Sequence, residues 1–135
     1  MKIFTAGGAI LLFFILILGC SKAPGIGGRA QIKGKFNAKF YSDPQMTALA
    51  GIGVLADERV YIIYGNEKTA YDDDTRTSYD GSFQFNYLRP GKYVVFVYEN
   101  CYPCASLQKE KLFEIEITGK DEVLDLGEIL LNKVH

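Results

Sequence analysis

Residues 77–98, TSYDGSFQFNYLRPGKYVVFVY, leave the chain little alternative to β structure. Asp80-Gly81 is a turn dipeptide: Asp bonds its own backbone and tolerates the left-handed region, while Gly enters positive φ without a Cβ clash. From Ser82 the residues alternate, with Phe83 and Phe85 on one face and Gln84 and Asn86 on the other, and Leu88 closes the apolar set. That period of two marks a half-buried strand. Pro90-Gly91 supplies a second compact turn, Pro presetting φ and Gly suited to the positive φ of a type II turn. The run YVVFVY at 93–98 is apolar on both faces, which predicts a central strand covered on both sides. The segment therefore reads as a hairpin.

The spacing Leu88-x-Pro90-Gly91-x-Tyr93 also looks like a tyrosine corner, which would direct the Tyr93 hydroxyl to backbone near Arg89. The plainer reading is an ordinary strand aromatic. Around this segment, 30–41 alternates Ile32, Gly34, Phe36, Ala38 and Phe40 against lysines and other polar residues. It predicts a first strand at a sheet edge, where lysines discourage pairing with another chain. Residues 42–57 read as a long loop, 59–64 (RVYIIY) as the second strand, and 69–71 as a short strand before the turn Asp72-Asp73-Asp74. Phe113, Ile115 and Ile117 alternate with glutamates, and 123–132 alternates with a change of phase at Gly127 that predicts a bulge. About seven short strands with no amphipathic helix predict an all-β, Greek-key β-sandwich.

A chain of 135 residues suits one domain with one core, which needs neither metal nor disulfides to fold. Fifteen basic against sixteen acidic residues argue against nucleic acid as a partner.

The first 19 residues place Lys2 before the apolar run AILLFFILIL, as a signal peptide does. Ile17-Leu18-Gly19-Cys20 resembles the lipobox of bacterial lipoproteins. By that resemblance Cys20 becomes an acylated N-terminus, membrane lipid becomes a partner, and several acyl chains make the anchor effectively permanent. Residues 20–29 then read as a lipidated flexible tether and 30–135 as the β-sandwich domain. Ser21 after the cysteine resembles outer-membrane sorting in enteric lipoproteins, and no acidic cluster follows, which points to the periplasmic face.

The motifs Asp80-Gly81-Ser82-Phe83-x-Phe85, Leu88-x-Pro90-Gly91-x-Tyr93 and Leu124-x-Leu126-Gly127-x-Ile129, with Thr77 and Arg59-Val60-x-Ile62, resemble the prealbumin-like sandwich domains. These are the transthyretin-like or carboxypeptidase regulatory-like domains, here in the form found in small bacterial lipoproteins. The resemblance implies a fold more than a function, because such domains serve as stability modules, stalk units and binding platforms. Two stretches depart from the pattern, 41–58 and the loop holding Cys101 and Cys104. Loops on a rigid scaffold collect recognition residues, so Met46 and Tyr102 are the expected contacts with an envelope protein or glycan.

Cys101-Tyr-Pro-Cys104 carries the sharpest chemistry. A CxxC after a strand suits a thiol-disulfide oxidoreductase, but that fold needs a helix after the second cysteine, and 111–118 has strand period. With Cys20 acylated, the two remaining thiols suit a structural disulfide; free thiols or metal ligands are the other readings. Asp72, Asp73, Asp74 and Asp80 could face a calcium ion, though such runs are usually solvated turns. The one histidine is the last residue, and no GxSxG, HExxH or phosphate-cradling glycine loop occurs. The expectation is a non-catalytic structural or binding module without cofactor or metal.

Overall fold

The computed structural model describes residues 22–135. The leader, the lipobox and Cys20 lie outside the described residues. The described residues form eight strands in two four-stranded sheets packed face to face: β1 (Ile26–Tyr41), β2 (Leu49–Val54), β3 (Arg59–Tyr64), β4 (Asp73–Arg76), β5 (Ser82–Leu88), β6 (Gly91–Asn100), β7 (Gln108–Ile117) and β8 (Val123–Val134). It is an all-β sandwich with eight strands where about seven were expected.

In the first sheet the long β1 is central rather than an edge. β8 runs parallel to it along one side; on the other side β5 pairs with its N-terminal half and β2 with its C-terminal half, both antiparallel. The alternation of β1 buries Ala30, Ile32, Phe36 and Ala38 and leaves the lysines outward, as predicted. Periodicity reports which face a residue takes, and it carries no information about what lies beside the strand. The second sheet runs β4-β3-β6-β7, antiparallel throughout.

The segment 77–98 is therefore not a hairpin. β5 belongs to the first sheet and β6 to the second, so Pro90-Gly91 is a corner that carries the chain from one sheet to the other. Gly91 sits at φ 150°, outside the type II value, and Pro24 packs against it so closely that an added Cβ would meet Pro24 Cγ at 2.5 Å. The core between the sheets gathers Ile32, Phe36, Val60, Ile62, Phe83, Phe85, Leu88, Tyr93, Val95, Val97, Ile117 and Leu131. Phe36 and Phe83 stack at 4.9 Å across β1 and β5. β6 is buried on both faces, but among the described residues no third layer covers it: Ile63, Val94 and Phe96 pack outward under Tyr61 and Tyr98.

Three further boundaries differ from the sequence reading, and one feature agrees with it. β1 starts at Ile26, and Gly25 is buried, so residues 25–29 of the expected tether belong to the folded domain. Part of the expected 42–57 loop is β2, whose glycines weaken the strand signal. The short strand falls at Asp73–Arg76 rather than 69–71, because pairing with β3 overrides the low β propensity of two aspartates. The bulge lies where the phase change placed it: Lys33 pairs with Asp125 and Lys35 with Glu128, and Gly127 takes φ 74°.

Candidate functional site

Strand direction sorts the loops into two ends. The chain enters beside the corner at Arg89-Pro90 and the β3–β4 connection; Pro24, Tyr64, Asn66, Lys68 and Lys92 line one hollow of about 570 Å³ there. This is the proximal end. Tyr93 fixes the entry: its hydroxyl donates to Arg89 O at 2.6 Å, as the corner spacing predicts, and accepts from the buried Gly25 N–H at 2.9 Å. Burial raises the Tyr93 hydroxyl pKa above its ordinary value, against the opposing pull of these backbone contacts.

β1 and β6 both run away from the entry, so the loops that follow them, 42–48 and 101–107, emerge at the opposite, distal end. The C-terminus of β8 lies between the two loops. His135 N–H donates to Tyr41 O at 3.0 Å, and Val134 N–H to Asn100 Oδ1 at 2.9 Å. The His135 ring stacks on Phe40 at 4.8 Å. Sixteen residues of β1 at about 3.3 Å each separate the ends by up to roughly 50 Å.

Both distal loops are built rather than loose. In the first, Asp43 accepts from Thr47 N–H (3.0 Å), Ala48 N–H (2.7 Å) and the Thr47 hydroxyl (2.6 Å). These bonds hold the Asp43 carboxyl below the usual carboxylate range. Met46 is half-buried there at φ 57°. In the second, Cys101 N–H donates to Leu107 O (3.0 Å) and Leu107 N–H to Cys104 O (3.2 Å). Cys101 and Cys104 lie at disulfide distance, with Cα atoms 5.8 Å apart. Tyr102 is 52% exposed, and Leu107 takes φ 57° with its side chain in solvent. A bulky residue in the left-handed region costs about 1–2 kcal/mol, and such strain gathers at functional loops. The segment after Cys104 is β7, so no helix N-terminus faces either sulfur.

The aspartates go separate ways. Asp80 accepts from the hydroxyls of Ser78 and Ser82 and from Ser82 N–H, which depress its pKa well below the ordinary value. Asp74 pairs with Arg59 at 3.0 Å, and Asp73 accepts from Asp74 N–H at 2.8 Å. Asp72 pairs with Lys68 and accepts from Tyr64 N–H at 2.7 Å. Among the described residues, no group of three or more His, Cys, Asp or Glu side chains could hold a metal ion.

Sequence reasoning passed over Glu99 and Lys133. Glu99 is 5% exposed, and its Oε2 accepts from Asn132 N–H at 3.1 Å, capping the edge of β8. Lys133 joins Glu58 at 2.6 Å and Tyr98 O at 2.8 Å, tying β8 to the second sheet. The signal for Glu99 was present: it falls on the inward parity of Tyr93, Val95 and Val97, where a carboxylate needs a partner.

No family model matches the chain, and no curated protein is similar to it. Among solved structures, a candidate carbohydrate-binding protein from Pseudomonas aeruginosa matches at 12% identity and a TM-score of 0.46, over 85% of this chain and 93% of that one. A 9R-lipoxygenase from Cyanothece matches at 14% identity and a TM-score of 0.40, over 75% of this chain and 16% of that one. Neither likeness carries an argument about function.

Proposed function

We propose that this protein is a lipid-anchored lipoprotein of the bacterial outer membrane, facing the periplasm, whose β-sandwich is a non-catalytic binding module. Acylated Cys20 holds the proximal end, and the distal loops around Met46 and Tyr102 meet an envelope protein or glycan. The observation that carries this reading is the separation of the two ends along β1. A chain that enters at one end and gathers two built loops at the other suits a protein tied to a surface. Only Ser21 to Ala23 would lie between the anchor and Pro24, which already packs on Gly91, so the domain would stand close to its bilayer. The approach of Cys101 and Cys104 to disulfide distance supports the binding part, because a bond there would pin Tyr102 and lessen the freedom it loses on contact.

Two experiments test the proposal. Cys20→Ala should leave an unprocessed or soluble protein without acyl label; normal maturation and membrane fractionation would refute the anchor. A Tyr102→Ala, Met46→Ala double variant should lose partners recovered by proximity labelling in intact cells, and an unchanged set would refute the contact site.

A further inference from the structure

The open edges of the two sheets are not treated alike. An edge strand offers unpaired N–H and C=O groups, and proteins normally block such edges with charge, brevity, bulges or cover. β8 is capped by side chains: Asn132 N–H bonds Glu99, Val134 N–H bonds Asn100, and Leu130 O accepts from Lys111 Nζ at 3.2 Å. β7 carries Lys109, Glu110, Lys111, Glu114 and Glu116. β4 has four residues, three of them charged. β5 runs beside β4 and is broken by Tyr87 at φ 59°.

Among the described residues β2 is the least protected: its one such device is a bulge at Ala50, where Phe40 pairs with Gly51 and Tyr41 with Leu49, and the regular run Gly51–Val54 follows it. Leu-Ala-Gly-Ile-Gly-Val holds no charge and no proline. The Leu55 N–H bonds Phe36 O at 3.1 Å, which sets the alternation: Gly53 spends its backbone on β1, while Ile52 and Val54 turn theirs outward. Beside that edge the outer face exposes Leu49 53%, Ile52 62%, Val54 42% and Leu130 43%, with Lys39 next to Ile52 and Asn37 next to Val54. Val54 and Leu130 flank Asn37 in one cross-strand row, so the patch continues across three strands. Beneath β2, Gly51 has no atom within 4 Å of where its Cβ would stand, which leaves room for inward side chains of an added strand.

We propose that the free edge of β2 is a docking site for an extended, uncharged, apolar strand supplied by another protein. The bare backbone groups call for a strand, and the absence of charge on β2 selects against a charged one. The choice of a foreign strand over a second copy rests on the anchored reading above. Two copies pairing β2 with β2 about a two-fold axis would run antiparallel, sending their Lys22 ends in opposite directions. Ser21 to Ala23 is too short a link for two such copies to stand upright on one bilayer. A strand added to a six-residue edge buries less than a standard interface, so micromolar binding is the expected range.

The test uses the full chain in detergent and a soluble probe, an eight-residue peptide of alternating valine and threonine with a polyethylene glycol tail. Binding is read by fluorescence anisotropy, and amide hydrogen exchange is followed over residues 47–55. The expected result is micromolar binding with slowed exchange in that segment. Ile52→Lys should weaken binding at least tenfold, and N-methylation of alternate peptide amides should abolish it. Absence of binding, or binding indifferent to both changes, would overturn the proposal, as would Ile52-dependent dimerisation of the chain without peptide. Cys20→Ala separates the two ideas: it should release the protein from membranes while leaving peptide binding intact, and Ile52→Lys should do the reverse.

Discussion

Removing one oxygen from Tyr93 tests the corner that joins the two sheets to the incoming chain. Tyr93 is 1% exposed, and its hydroxyl serves Arg89 O at 2.6 Å and Gly25 N–H at 2.9 Å. Tyr93→Phe keeps the ring and strands both partners. A buried group left without its bond costs about 1–3 kcal/mol. Gly25 is buried and carries the larger share, whereas Arg89 is half-buried and regains some hydration. The expected total is about 2–3 kcal/mol, a drop in Tm of roughly 8–12 °C for a domain of this size. Urea unfolding should show a lower midpoint with an unchanged slope, since the surface exposed on unfolding stays the same. In a chain beginning at Ile26, Gly25 is gone, and Tyr93→Phe should then cost only about 1 kcal/mol. A loss under about 0.5 kcal/mol in the full chain, or the same loss in both backgrounds, would refute the reasoning.

Three further outcomes follow from local geometry. Gly127→Ala meets no atom within 4 Å, so its cost is that of forcing Ala to φ 74°, about 1 kcal/mol by denaturant titration, with membrane behaviour unchanged. Replacing Cys101 and Cys104 together by serine should lower stability by about 2 kcal/mol and leave the sandwich intact by circular dichroism; insulin-reduction turnover by the parent would overturn the structural reading of the pair. The pH profile should fall at both extremes. The carboxyls of Asp43, Asp80 and Glu122 are held low by hydrogen bonds, so their contribution is present above their ordinary pKa near 4 and fades as pH drops below it. Burial raises the hydroxyls of Tyr64, Tyr93 and Tyr98, so theirs is complete below about pH 10 and is lost as pH climbs past it. A flat profile between pH 2 and 4 would contradict the first half, and unchanged stability at pH 11 the second.

The sequence made faces legible and neighbours illegible. Phe83, Phe85 and Ile117 were placed inside by alternation alone, Tyr93 by the corner spacing, and Gly127 announced its bulge by a change of phase. The centre position of β1 could not be read, because the strands on either side of it come from the far end of the chain and from its middle. A compact Pro-Gly link looks the same whether it closes a hairpin or turns a corner between sheets; only the partner of β6, which is β3, decides. The site shows the same division. That 42–48 and 101–107 are loops was visible in their composition. That they share an end follows from β1 and β6 running in one direction, with β8 laid parallel to β1 so that Val134 and His135 arrive between the loops.

An anchor at one end and a presented site at the other place the two ends at different distances from the bilayer, and those distances can be measured directly. With the mature protein in liposomes carrying headgroup energy acceptors, a donor dye on Lys68→Cys reports the proximal end and one on Tyr102→Cys the distal end. The prediction is strong transfer from position 68 and weak transfer from position 102, in keeping with an end-to-end span of up to roughly 50 Å along β1. Equal transfer from both positions, or a Cys20→Ala protein that still places position 68 against the bilayer, would contradict it.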